Sequence, residues 1–115
     1  MKVIIAGGRG FNDYQTLKEY CQKILRDQEE VEIVSGTARG ADELGEKFAK
    51  ESKCPIKRFP ANWDKYGKSA GYKRNAEMAQ YADGLIAFWD GKSRGTKHMI
   101  DLAERADIEV RVFNY

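Results

Sequence analysis

The sequence predicts an α/β fold, a single Rossmann-like domain of three layers with a five-stranded parallel sheet and helices on both faces. Five short runs of β-branched and aromatic residues alternate with four amphipathic helical stretches, an order that implies parallel strands joined by crossover helices. The strand runs are mostly continuous in hydrophobicity, as strands covered on both faces are. The glycines and arginines gather in the loops that follow strands, the edge at which such sheets bind ligands. One domain over residues 1–115 is expected, since domains cluster at about 100–150 residues.

The first strand is read at 2–6. A helix follows from Asn12-Asp13, with Asn12 as cap and Gln15 completing a capping box; Tyr14, Leu17, Cys21, Ile24 and Leu25 share its apolar face. A strand at 31–34 leads to a helix from about Ala41, with Leu44, Phe48 and Ala49 inward. After a strand at 55–59 comes a long connection holding Lys65, Tyr66, Lys68 and Tyr72, expected to act as a lid or an oligomer contact. The next helix follows Gly71 and lines up Asn75, Met78, Ala79 and Ala82. A strand at 84–88 precedes a helix from near Thr96, whose inward residues are Met99, Leu102, Ala103 and Ala106. The last strand is 108–113. No repeat, linker or low-complexity segment interrupts the pattern.

Composition narrows the function classes. With 42% hydrophobic and 33% charged residues, the chain reads as an ordinary soluble globule rather than a disordered tail. Its net charge is +2, from 20 basic and 18 acidic residues, and that balance alone implies no nucleic-acid partner. Cys21 and Cys54 form no C-x-x-C pair and are expected to be reduced thiols. The apolar run Val3-Ile4-Ile5-Ala6 is too short for a signal peptide, and no segment approaches the ~20 apolar residues of a membrane span. A cytoplasmic location with no membrane partner is therefore expected. His98 is the only histidine, so no zinc cluster or histidine-based triad can be assembled and no metal is expected.

The chemistry is concentrated in four loops. They are Gly7-Gly8-Arg9-Gly10-Phe11, Ser35-Gly36-Thr37-Ala38-Arg39-Gly40-Ala41-Asp42, Pro60-Ala61-Asn62-Trp63 and Trp89-Asp90-Gly91-Lys92-Ser93-Arg94-Gly95-Thr96. Three of them combine glycine with arginine and run into a helix. Glycine lets backbone N–H groups approach an anion, the helix N-terminus favours negative charge, and arginine pairs bidentately with phosphate. Familiar cofactor motifs are absent. The first loop is not G-x-G-x-x-G, and strand 2 ends in Ser35 where a dinucleotide site would carry an acid. The Gly-Lys-Ser triplets at 67–69 and 91–93 lack the Walker glycine, since Asn62 and Ile86 stand at that place. No resident cofactor is expected.

Individual residues admit two readings. Trp63 and Trp89 either stack on a purine or nicotinamide ring or pack against the sheet end. Asp42 complements a helix N-terminus, orients Arg39, or holds a ribose hydroxyl. Ser35, Thr37, Ser93 and Thr96 suit phosphate or ribose contact and are equally ordinary cap residues.

These loops, together with Gly71-Tyr72-Lys73-Arg74-Asn75-Ala76-Glu77-Met78, appear in an order that resembles the YspA-like, YpsA-related branch of the SLOG superfamily across nearly the whole chain. The resemblance implies a Rossmann-like fold that binds nucleotide-derived small molecules such as NAD, ADP-ribose or nucleoside phosphates, as sensor or sequestering protein. It also implies a homodimer or higher homo-oligomer and suits a bacterial or phage origin. Ligand contacts are then expected from Gly7, Gly8 and Arg9; from Ser35, Gly36, Arg39 and Asp42; from Trp63, Arg74 and Asn75; and from Trp89, Ser93, Gly95 and Thr96.

Two related groups supply alternatives. LOG phosphoribohydrolases carry an Arg-Lys pair and Pro-Gly-Gly-x-Gly-Thr-x-x-Glu. Here Arg74-Asn75 and Gly95-Thr96 fall at those places, but Met99 replaces the glutamate that stabilises sugar cation and activates water. Asp42, Asp64, Glu77 or Asp90 would have to substitute. DprA-type DNA-processing proteins carry Ser-Gly-x-Ala-Arg-Gly, which resembles residues 35–40. That likeness suggests single-stranded DNA tracked by Arg9, Arg39, Lys73, Arg74, Lys92 and Arg94, with Trp63 or Trp89 stacked on bases.

Overall fold

Val3, Ile4 and Ile5 are buried on both faces, and the strand that carries them is the centre of the sheet. The computed structural model describes every residue, Met1–Tyr115. Its strands are β1 (Lys2–Gly7), β2 (Glu32–Ser35), β3 (Ile56–Arg58), β4 (Gly84–Trp89) and β5 (Glu109–Asn114). The helices are α1 (Tyr14–Leu25), α2 (Ala41–Glu51), α3 (Trp63–Tyr66), α4 (Ala70–Tyr81) and α5 (Arg94–Arg105). The strand order is β3-β2-β1-β4-β5 and every pairing is parallel. The chain winds outward from β1 to β3, crosses back, and winds outward again from β4. The reversal falls between β1 and β4.

Alternate side chains of the central strands feed two separate cores, as the two-residue period of a strand requires. Val3, Ile5, Ile33 and Phe88 pack with Leu17 and Cys21 of α1 and Phe48 of α2 on one face. Ile4, Val34 and Leu85 pack with Met78 of α4 and Met99 and Ala103 of α5 on the other. The result is the predicted three-layer α/β architecture with a five-stranded parallel sheet.

Several local expectations are corrected. The edge strands are not covered on both faces: β3 is mostly exposed, and β5 alternates between exposed and half-buried residues. Asp13 rather than Asn12 caps α1, with Oδ1 accepting from the Thr16 N–H at 3.1 Å and Oδ2 from the Thr16 hydroxyl at 2.6 Å. Gln15 closes no capping box and donates to Glu19 instead. Within the long connection, Asn62 caps the one-turn helix α3 by accepting from the Lys65 N–H, and a 3₁₀ turn (Gly67–Ser69) joins it to α4. Helix α5 begins at Arg94, and its buried stripe is Thr96, Met99, Ile100 and Ala103. Ala106 is exposed because the helix has ended and the chain reverses at Asp107, with φ +60°.

Both cysteines carry free thiols, and burial pushes the Cys21 thiol up to about 12. No helix is long and apolar enough to cross a membrane.

Helix α2 lies so close to β1 that a Cβ at Gly45 would stand 2.8 Å from Cβ and Cγ2 of Ile5. Alanine gains about 1 kcal/mol over glycine inside a helix, yet overpacking a tight core costs about 1–3 kcal/mol. Gly45→Ala is therefore expected to lower stability despite its better helix propensity. Urea denaturation measures this, and an unchanged or raised midpoint would show that α2 can back away from the sheet.

Candidate functional site

At the carboxyl ends of β1 and β4, where the winding reverses, a cleft of about 680 Å³ opens. This is where an open parallel sheet places its ligand. A larger hollow of about 740 Å³ lies at the opposite edge, among the starts of β1, β2 and β3. It presents Glu29, Glu30 and Glu32 beside Leu25 and Val31, with no glycine loop entering it.

The first wall is built from the end of β1. A Cβ at Gly7 would collide with the Phe88 carbonyl and stand 2.8 Å from Cβ of Ala41, so only glycine lets β1, β4 and α2 converge. The Gly8 N–H donates to the Phe88 carbonyl, and the Gly8 carbonyl accepts from the N–H groups of Phe11 and Ala41, each at 3.2 Å. The N–H groups left without a protein acceptor in this turn are those of Arg9 and Gly10. Tyr115 closes the turn from outside: its ring packs on Phe11 at 4.8 Å and its hydroxyl lies over Gly8.

The facing wall is the start of α5. Asp90 accepts from the N–H groups of Lys92 and Ser93, both at 2.8 Å, and these bonds hold its carboxyl below the usual range. Ser93 caps the helix by accepting from the Thr96 N–H, and the two hydroxyls lie 3.1 Å apart. The Arg94 and Gly95 N–H groups, in the first turn where no intrahelical partner exists, have no protein acceptor. Of these free backbone donors, those of Arg9, Gly10 and Gly95 belong to residues that line the cleft.

Between the walls lies a polar cluster. Arg74 donates through Nη1 to the Gly36 carbonyl and through Nε to Oδ1 of Asn75 at 3.1 Å. Asn75 in turn reaches the Gly95 carbonyl at 3.4 Å and Nδ1 of His98 at 3.2 Å, which ties α4 to α5. Asp42 is buried and accepts from the Ala38 N–H at 3.1 Å. Burial pushes its carboxyl up to about 6, against the opposing pull of the Ala38 N–H and the Arg74 cation. Burial likewise lowers the Arg74 guanidinium. The floor is apolar, with Met78 and Met99 each 1% exposed, while Trp63 and Tyr72 stand half exposed at the rim.

The sequence-predicted residues divide three ways. Gly7, Gly8, Arg9, Asp42 and Trp63 line the cleft, as do Arg74, Asn75, Ser93, Gly95 and Thr96. Gly36 and Arg39 line a smaller hollow beside it. Ser35 and Trp89 line neither. Ser35 donates to Oε2 of Glu46 at 2.7 Å and accepts from the Thr37 N–H, and Glu46 pairs with Arg58 at 2.9 Å. Ser35 is thus a brace under the loop. Trp89 packs against the core and donates to the Ser93 carbonyl at 3.0 Å, which steadies the start of α5. Among the carboxylates named as replacements for a catalytic glutamate, Asp42 and Asp90 line the cleft, whereas Asp64 and Glu77 do not. Sequence reasoning missed Tyr115, which nothing in its neighbourhood marks, and the two methionines as a floor, which their core-like spacing disguises.

A family model described as the YspA, cpYpsA-related SLOG family matches residues 1–66. The Gene 61 protein of Mycobacterium phage D29 is 33% identical over 116 residues, which cover 95% of this chain and 93% of that protein. The X-ray structure of DNA processing protein A (DprA) from Streptococcus pneumoniae has the same fold, with a TM-score of 0.77 at 17% identity. The match covers 96% of this chain and 49% of that one, so this chain spans about half the length of that relative.

The Asp42 carboxyl makes stability depend on pH. Unfolding returns it to an ordinary value near 3.8, so between about pH 4 and 6 the folded protein holds the proton more tightly. Stability relative to Asp42→Asn is expected to fall as pH rises through that window and to level off above it. Urea midpoints of the two proteins at several pH values test this; parallel profiles would show that Asp42 ionises normally.

Proposed function

The chain belongs to the YspA, cpYpsA-related SLOG family, and from that premise and the chemistry of the cleft we propose that it binds a nucleotide or nucleotide derivative by its phosphate. The observation that carries this reading is the pair of loops that leave unpartnered backbone N–H groups at one cleft, those of Arg9 and Gly10 on one wall and of Gly95 on the other. Such donors at a turn and at a helix N-terminus suit a phosphate, which needs several acceptor sites filled at once. Arg9 and Arg74 add charge-assisted donors from the same side. The apolar floor of Met78 and Met99 and the exposed rings of Trp63 and Tyr72 suit the flat face of a base.

The reading favours binding over turnover. Glycosidic cleavage needs a carboxylate against the sugar, and the position that the LOG resemblance assigns to glutamate holds the buried thioether of Met99. One observation favours a hydrolase as the second reading: Asp42 lies in the cleft with its carboxyl raised to about 6, and such perturbed acids mark catalytic sites. Single-stranded DNA is the weaker alternative, since the net charge of +2 supplies little general attraction to a polyanion.

Native mass spectrometry of the purified protein, followed by calorimetric titration, tests the reading. A nucleoside monophosphate is expected to bind and to be recovered intact, and the matching nucleoside to bind at least tenfold more weakly. Arg9→Gln removes a charge-assisted contact worth about 1.5–3 kcal/mol, or roughly 10- to 100-fold in Kd. If no phosphorylated nucleotide binds, the reading fails. Release of free base would transfer the argument to Asp42.

A further inference from the structure

The smaller hollow beside the cleft has a chemistry of its own. It measures about 370 Å³, and its lining includes Arg9, Arg39, Arg74, Thr37 and Trp63 and no carboxylate. All three ion pairs of the protein lie elsewhere, at Lys18–Glu51, Arg58–Glu46 and Lys97–Asp101. Asp42 lines the main cleft rather than the hollow, accepts from the Ala38 N–H, and acts electrostatically on Arg74 and Arg9 but not on Arg39. Three guanidinium groups thus border a space that no carboxylate lines. One buried acid is set against Arg9 and Arg74 from the cleft side, so positive charge exceeds negative there and an anion is favoured. Arg9 and Arg39 carry the planar fork that matches a phosphate oxygen pair, while Arg74, engaged through Nε and Nη1 by Asn75 and the Gly36 carbonyl, contributes its charge and its remaining N–H groups.

The hollow is not isolated. Arg9, Ala38, Trp63 and Arg74 line both it and the cleft, so the two spaces meet across a pair of arginines. Arg39 and Thr37 face the hollow alone. Thr37 has a left-handed backbone, φ +63°, and the Ser35 hydroxyl holds that turn by accepting its N–H. The Arg74 fork is fixed on the shared boundary by the Gly36 carbonyl and Asn75.

We infer that this hollow is a second anion subsite, so that the ligand is a nucleotide carrying two linked phosphate-type groups, one at the free N–H groups of the cleft and one at Arg39. Arg9 and Arg74 stand between the two groups. The inference rests on the nucleotide reading of the cleft and narrows it. The second group can come from a diphosphate-bridged small molecule or from the next phosphate of a strand, and the same subsite chemistry serves either.

Titration of the full chain with AMP, ADP-ribose and a 5′-phosphorylated dinucleotide tests the inference. At least one of the two longer probes is expected to bind about tenfold or more tightly than AMP, and the one that gains identifies the source. Arg39→Gln, at an exposed position, is expected to abolish that gain and to leave AMP affinity within about twofold. Equal affinity for all three probes, or an Arg39→Gln loss shared equally by AMP, overturns the subsite and leaves the cleft reading standing. Failure of every probe to bind the unaltered protein overturns the cleft reading and the subsite with it.

Discussion

Three stretches of backbone meet at the end of β1, and the rest of the site depends on how closely they approach. Gly7 lets the strand end pass between Phe88 and Ala41. Gly40 takes φ +78° and lies against the carbonyl of Gly8 and the backbone of Arg9, where any side chain would collide. The Gly8 carbonyl then accepts two N–H groups, one from its own turn and one from the start of α2. With its inner polar groups consumed this way, the turn has only the Arg9 and Gly10 donors left to offer. Preorganisation of this kind spares a ligand the cost of ordering the loop.

Around that junction the polar groups are arranged in braces that join separate elements. Arg58, Glu46 and Ser35 link β3, α2 and β2 beneath the strand-2 loop. Arg74, Asn75 and the Gly95 carbonyl link α4 to α5. No buried side-chain nitrogen or oxygen is left without a partner. The cleft therefore presents charge without exposing an unsatisfied interior, and Asp42 is the one acid whose ionisation is opposed by its surroundings there.

The architecture was legible because its signals are local. β-branched runs, helical spacing and glycine at strand ends each act over a few residues, and the switch point followed from the order of elements. Individual roles were less legible where one residue type serves two purposes. A serine hydroxyl after a strand suits phosphate as well as it suits a carboxylate; only the fold brings Glu46 to Ser35. Trp89 follows a strand beside a phosphate-type loop, yet its indole N–H is satisfied four residues away. Asn12 and Asp13 are both good caps, and the register of the first turn decides between them. Tyr115 reaches the cleft only because β5 pairs with β4, a relation that no local pattern encodes.

The wall shared by the cleft and its neighbouring hollow includes Trp63, the first residue of α3. That helix has one turn, and neither it nor the 3₁₀ turn after it buries a residue. Isolated helices so short are unstable in water, and segments with little buried surface open at low free-energy cost while the core stays closed. This wall can therefore open at a lower free-energy cost than the sheet, and it can do so while the three-backbone junction at the end of β1 stays closed.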